Sequence, residues 1–153
     1  MARLTGKKFL ITGASGFMGG DFARAFAREG ADLVLTSRTL SKLETLAAEL
    51  RRDHGCSVHC CAADMCKPED VKRLAEFTWS AFDGIDGVLL SAQPENTFLG
   101  DILTTPDEQW AAQHDMLVWG PLRLLRDLAP KMMARGKGSI VTVISSTGLH
   151  PTP

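Results

Sequence analysis

Three glycines, Gly13, Gly16 and Gly19, recur at every third position just past the apolar run Lys8-Phe9-Leu10-Ile11-Thr12. An apolar strand turning through glycines straight into a helix is suited to binding a diphosphate. Gly13 permits the tight turn, Gly16 lets backbone approach the anion with no Cβ in the way, and Gly19 lets the helix pack close on the strand. The first amides of a helix have no intrahelical partner and sit at the positive end of its dipole. Residues 14–19, including Ser15, Phe17 and Met18, can therefore hold a diphosphate with little help from side chains. The spacing is G-x-x-G-x-x-G rather than the commoner G-x-G-x-x-G, so its meaning depends on the strand before it and the helix after it.

A second apolar run, Ala31-Asp32-Leu33-Val34-Leu35-Thr36, ends in Ser37-Arg38. In a Rossmann-type βαβ unit the end of that strand meets the adenosine ribose. A carboxylate there would accept from a 2′-hydroxyl, whereas Ser37 and Arg38 offer donors and positive charge to a 2′-phosphate. The expected cofactor is NADP(H) in preference to NAD(H).

Two other chemistries can be weighed. Cys56, Cys60, Cys61 and Cys66 cluster with His54 and His59. No C-x-x-C pair is present, and a strand over 57–63 would point Cys60 and Cys61 to opposite faces, so no metal site is predicted and the cysteines read as small core or surface thiols. Ser145 or Ser146 with His150 suggests a hydrolase, but the G-x-S-x-G elbow is absent. His150 and His114 read as surface residues.

The positioning elements alternate along the chain. Helical spacing follows the glycine turn from Met18 to Arg28, and Gly30 stops it. Further helices are predicted from Leu40 to Arg52, after Pro68 as far as Gly84, and from a capping box Thr105-Pro106-Asp107-Glu108 with proline at the first helical position. The last helix is expected to bend at Pro121 and to give way near Pro130. Strands are predicted at 57–63, 87–92 and 138–145, and 93–104 reads as a loop. Strands separated by helices of this length imply an α/β fold: a doubly wound parallel sheet of five strands in order 3-2-1-4-5, with helices on both faces.

A chain of 153 residues fits a single domain, and its 17 basic and 18 acidic residues create no broad field for nucleic acid or an anionic membrane. No apolar run approaches the ~20 residues of a membrane-spanning helix. The expected partner is a small-molecule substrate, and the expected location is cytoplasmic.

Taken in order, these landmarks resemble the short-chain dehydrogenase/reductase family over essentially the whole chain. Thr12-Gly13-x-x-Gly16-x-x-Gly19 is similar to its cofactor turn, in the form favoured by the family's extended branch. Asp64-Met65 resembles the acidic pair beside the adenine ring. Leu90-Ser91-Ala92-Gln93 stands where the family has Asn-Asn-Ala-Gly, with only Ala92 matching, and Trp110, Asp115 and Gly120 fall at the spacing of the fourth helix. The run Gly138 to Gly148 is similar to the fifth strand, which makes Ser145 the counterpart of the catalytic serine. The resemblance implies cofactor contacts from Asp64, Met65, Ser91, Ala92 and Gln93 as well as from the glycine turn.

The family pairs that serine with a tyrosine and, four residues on, a lysine that lowers the phenol pKa. This sequence has no tyrosine. The resemblance would place it about a dozen residues past Ser145, so the chain reads as a single dinucleotide-binding domain lacking the C-terminal part of a full member. Leu117 replaces the helix-four asparagine, and Leu90 and Ser91 lack the amides that tie neighbouring strands, which marks divergence. Two functions follow from the resemblance: an NADP(H)-dependent oxidoreductase exchanging hydride with a carbonyl or alcohol, or a non-catalytic dinucleotide-binding module. Glu95 and Asn96 are loop residues that could meet a polar substrate. Homo-oligomerisation through the helix at 106–128 is expected because Leu117, Leu124 and Leu128 make an apolar face that calls for cover.

Overall fold

The structure, a computed structural model, describes residues 2–94 and 103–145. Strands β1 (Lys8–Thr12), β2 (Asp32–Ser37), β3 (Val58–Ala62), β4 (Gly87–Leu90) and β5 (Ser139–Thr142) form one parallel sheet in the order β3-β2-β1-β4-β5. This is the order expected from the alternating pattern. Helices α1 (Phe17–Arg28) and α2 (Leu40–His54) cover one face, where Ala23, Ala27, Leu43 and Leu46 pack on Ile11, Leu33, Leu35 and Leu89. Helices α3 (Pro68–Ala81) and α5 (Gly120–Ala134) cover the other, where Val71, Leu74, Leu124 and Leu128 meet Leu10, Val34, Val88 and Leu90. Neighbours along a strand thus serve opposite cores, as a two-sided parallel sheet requires. Cys61 and Cys60 follow the same rule, one packed in each core.

The helix after the 93–104 segment departs from expectation. Helix α4 (Asp107–His114) starts one residue after Pro106, which is extended and serves as N-cap instead of first helical residue. The Gln109 and Trp110 amides both donate to the Pro106 carbonyl, so the first turn closes on backbone. A π-helical turn, Asp115–Trp119, then joins α4 to α5. Pro121 has no N–H to offer the Leu117 carbonyl, and a π turn ahead of it shifts the pairing where the α pattern fails.

Pro130 lies inside α5 and does not end it. Leu124, Leu128 and Met132 flank it and are buried against the α3 core, so tertiary burial outweighs a proline cost of about 3 kcal/mol. The same packing corrects the expected uncovered face: Leu124 and Leu128 are fully buried beneath α3. Within 107–128 the large apolar side chains left exposed are Leu117, Val118, Trp119 and Leu122, together with Trp110. Strand β5 is open on both faces among the described residues, with Ile140 and Val141 45% and 51% exposed.

At the N-terminal end of the sheet the Asp86 carboxylate accepts from the Lys8 amide at 3.0 Å and pairs with Lys137 at 2.8 Å, joining β1 to the entry of β5. Burial pushes this carboxyl up. The hydrogen bonds from Lys137 and from the Lys8 amide outweigh that and hold it below the usual carboxylate range.

Candidate functional site

The opposite, C-terminal ends of β1, β2 and β4 frame a cleft of about 500 Å³, where an open α/β sheet normally binds its ligand. Gly13 opens the floor with φ +69°, and a Cβ there would lie 2.7 Å from the Ala92 Cα. Gly16 is the extended N-cap of α1 and makes no side-chain cap. A Cβ on Gly19 would collide with the Gly13 carbonyl oxygen and come within 2.9 Å of the Ala14 Cα, so the helix approaches the turn at glycine-only distance. The first amides of α1 are therefore left facing the cleft end of the helix.

A hydroxyl knot fixes this floor. The Ser91 and Ala92 amides donate to Thr12 Oγ1 at 3.1 and 3.2 Å, and Ser91 Oγ donates to the Thr12 carbonyl at 2.6 Å. Leu90 and Ser91 lack the side-chain amides that the family resemblance would place here. Instead Ser91 ties β4 to β1 with its hydroxyl, and Leu90 is buried in the core. Strand β4 ends at Leu90, so residues 91–94 are free to leave the sheet and line the cleft.

The cleft brings together Gly13, Ser15, Gly16, Phe17, Met18, Gly19, Ser37, Arg38, Met65, Ser91, Ala92 and Gln93, all predicted from sequence. Phe17 stands at its mouth, 90% exposed. Asp64 and Ser145 are not among the lining residues. The Asp64 carboxylate accepts from the Cys66 amide at 3.0 Å, and its own amide donates to Asp70, which shapes the turn that presents Met65. Ser145 is exposed, three residues past β5. Its neighbour Val143 reaches the cleft, held by an amide donating to the Leu90 carbonyl at 3.0 Å. Glu95, Asn96, Ser146 and His150 lie outside the described residues.

Sequence reasoning missed Thr36, Thr39, Lys42, Ala63, Pro94, Met116 and Val143. Thr36, Ala63 and Val143 sit at the same sheet edge as the predicted residues and follow from the strand order. Lys42 lies one helical turn past Arg38. Met116 comes from the π-helical turn, and its neighbour Gly120 lies so close to the Met65 carbonyl that a Cβ could not fit. Nothing in hydrophobic periodicity signals that turn.

Arg38 and Lys42 are the charged side chains of the described lining, which contains no carboxylate. The thiols offer no reactive anion. Burial pushes the Cys60 thiol up to about 12 and raises Cys56, Cys61 and Cys66 as well, so all four are protonated near neutrality. Among the described residues no group of three His, Cys, Asp or Glu side chains could hold a metal ion.

Among the described residues the Thr36 hydroxyl, buried at the cleft wall, has no hydrogen-bond partner. An unpaired buried hydroxyl costs about 1–3 kcal/mol. Thr36→Val keeps the branched shape and removes that cost, so the variant is expected to melt at the same temperature as the parent or higher. A clear fall in melting temperature would reveal a partner that the hydroxyl needs.

A family profile described as short chain dehydrogenase matches residues 7–153. The chain is 32% identical over 150 residues to dehydrogenase/reductase SDR family member 4 of Homo sapiens, covering 98% of this chain and 53% of that protein. The crystal structure of L-sorbose reductase from Gluconobacter frateurii, complexed with NADPH and L-sorbose, superposes with a TM-score of 0.92 at 34% identity, over 99% of this chain and 57% of that one. NAD+-bound xylitol dehydrogenase gives a TM-score of 0.90 at 25% identity, over 99% and 57%. The chain thus spans about half the length of the relatives it matches. Among the described residues no helix is long and apolar enough to cross a membrane. With the profile running unbroken through the glycine turn, the Thr12–Ser91 knot and the fifth strand, the chain belongs to the short-chain dehydrogenase/reductase family of oxidoreductases.

Proposed function

We propose that the cleft binds NADP(H) in preference to NAD(H), as the cofactor half of an oxidoreductase acting on a carbonyl or alcohol. The observation that carries this reading is the charge of the lining, where Ser37 and Arg38 stand at the end of β2 and no described side chain is a carboxylate. A ribose 2′-hydroxyl would go without the acidic acceptor that selects NAD(H), while a 2′-phosphate would meet a guanidinium. The residues suit the rest of the dinucleotide too. The Ala14 and Gly16 amides already donate to the Thr36 and Gly13 carbonyls at 3.0 and 2.9 Å, so the amides of Ser15 and of Phe17 to Gly19 would receive the diphosphate, Met65 and Ala63 would border the adenine, and Ser91 to Gln93 would flank the path toward the nicotinamide.

The bound cofactor would supply or accept the hydride. Ser145, exposed just past β5, would donate a hydrogen bond to the substrate oxygen. The sequence contains no tyrosine, so the proton for that oxygen is assigned to none of these residues. Self-association through the helix pair at 106–128 belongs to the same reading, now resting on Trp110, Leu117, Trp119 and Leu122 in place of Leu124 and Leu128. Light scattering at tens of micromolar is expected to show species larger than a monomer, and a clean monomer would count against it.

The test is a titration of the purified chain with NADPH and NADH, followed by calorimetry. Binding of NADPH at least about tenfold tighter than NADH is expected from the charge-assisted contact alone. Equal affinities, or tighter NADH, would overturn the cofactor assignment.

A further inference from the structure

We propose that Lys42 is a specificity-determining residue of this cleft, the second cation that meets an adenosine 2′-phosphate. The assignment rests on the NADP(H) reading above. Lys42 is the third residue of α2, one turn beyond Arg38, and it lines the cleft together with Ser37, Arg38 and Thr39. It also lines a neighbouring cavity of about 330 Å³ between α1 and α2. The residue therefore borders both spaces.

Three observations separate Lys42 from an ordinary solvated helix cation. The first concerns its partners. The neighbouring cavity also holds Arg24, Asp21 and Glu49, but Arg24 already takes both carboxylates, with Glu49 at 2.6 and 3.0 Å and Asp21 at 3.5 Å. Lys42 has no hydrogen bond or ion pair among the described residues, so its charge is available to a ligand.

The second concerns the helix beneath it. Helix α2 has no acidic residue in its first turn, and its N-cap Thr39 makes no side-chain cap. No acidic side chain of its own first turn meets the positive end of the dipole, which adds to the field of Arg38 and Lys42 on the same side.

The third concerns chemistry. A phosphate monoester carries close to two negative charges at neutral pH, and one guanidinium cannot balance both. Lysine supplies a compact charge on a flexible four-carbon stem, which can follow a phosphate that Arg38 has positioned by its fork. Selection for the 2′-phosphate is then shared between a rigid and a mobile cation.

The experiment uses two small probes in place of the whole cofactor, adenosine 2′,5′-bisphosphate and adenosine 5′-diphosphate, titrated into the chain by calorimetry. Lys42→Ala is expected to weaken the 2′,5′-bisphosphate by about tenfold while leaving 5′-diphosphate within about twofold, and Lys42→Arg is expected to restore most of the loss. Lys42 is exposed, so the melting temperature is expected to stay put and to exclude a folding defect. If the parent prefers the 2′-phosphate and Lys42→Ala either leaves that preference intact or weakens both probes alike, the Lys42 assignment is overturned and the NADP(H) reading stands. If the parent does not distinguish the probes, both fall.

Discussion

Replacing Gly19 with alanine is expected to destabilise the chain by about 2–3 kcal/mol and to abolish dinucleotide binding at micromolar cofactor. Helix propensity alone favours the change by about 1 kcal/mol, so the sign of the effect depends on packing. The new Cβ would strike the Gly13 carbonyl oxygen and lie 2.7 Å from the Gly13 carbonyl carbon and 2.9 Å from the Ala14 Cα. All three are backbone atoms of the turn, which the Thr12–Ser91 knot holds to β4, and none can swing aside as a side-chain tip could. The helix must retreat, and the amides that face the anion retreat with it. The next residue is an internal control. A Cβ on Gly20 would meet the Arg24 guanidinium, a movable side-chain tip, at 3.2 Å and the Ala14 carbonyl oxygen at an ordinary 3.6 Å, so Gly20→Ala is expected to be neutral or stabilising. Denaturation and NADPH titration of both variants decide the matter. A Gly19→Ala protein as stable as Gly20→Ala would refute the close-approach account.

The difference between those neighbours shows what could and could not be read from the residues in order. The roles of Gly13 and Gly19 follow from spacing, because a strand turning into a helix leaves few other reasons for glycine at those intervals. The strand order follows from alternating strand and helix patterns, since short right-handed crossovers leave little choice. Twelve of the thirteen expected cofactor contacts line the cleft for the same reason: they lie at the C-terminal ends of strands or just past them. Asp64 shows the limit of this approach. Its position is the expected one, but hydrogen bonds to the Cys66 and Asp70 segments, which no pattern predicts, turn its carboxylate to shaping a turn.

Residues 115–134 were the least legible. Two prolines in one helical stretch suggest a bend and a break. The structure gives a π turn and an unbroken helix, because burial of Leu124, Leu128 and Met132 outweighs the missing donor at Pro130. The strand tie is hidden from a linear reading for a similar reason. Counting side-chain amides overlooked a serine hydroxyl opposite a buried threonine, a pairing that exists only once β1 and β4 are adjacent. Lys42 lay within reach of helical geometry. Arg38 lies just before the N-cap Thr39 and Lys42 in the first turn of α2, so both charges gather at the start of one helix, and that proximity carries chemical meaning where the described lining holds no carboxylate.

Arg38→Ala is expected to cut affinity for NADPH by about 10- to 100-fold and to leave NADH nearly unchanged, because a hydrogen bond to a charged group is worth about 1.5–3 kcal/mol. The asymmetry is the informative part. A structural role for Arg38 would weaken both cofactors together, since the glycine turn and the adenine wall serve them equally. Adding Ser37→Asp to Arg38→Ala would place a carboxylate at the end of β2, where it can accept from a 2′-hydroxyl and repel a 2′-phosphate. That double variant is expected to prefer NADH. Salt gives a second, independent readout. The preference of the parent for NADPH is expected to shrink as ionic strength rises from 0.05 to 0.5 M, whereas the double variant's contact with a neutral ribose would be far less sensitive, given a Debye length of about 10 Å at 0.1 M. If Arg38→Ala left the NADPH-to-NADH ratio unchanged at low salt, the positive charge at the end of β2 would have no part in selection, and the choice of cofactor would have to come from elsewhere in the cleft.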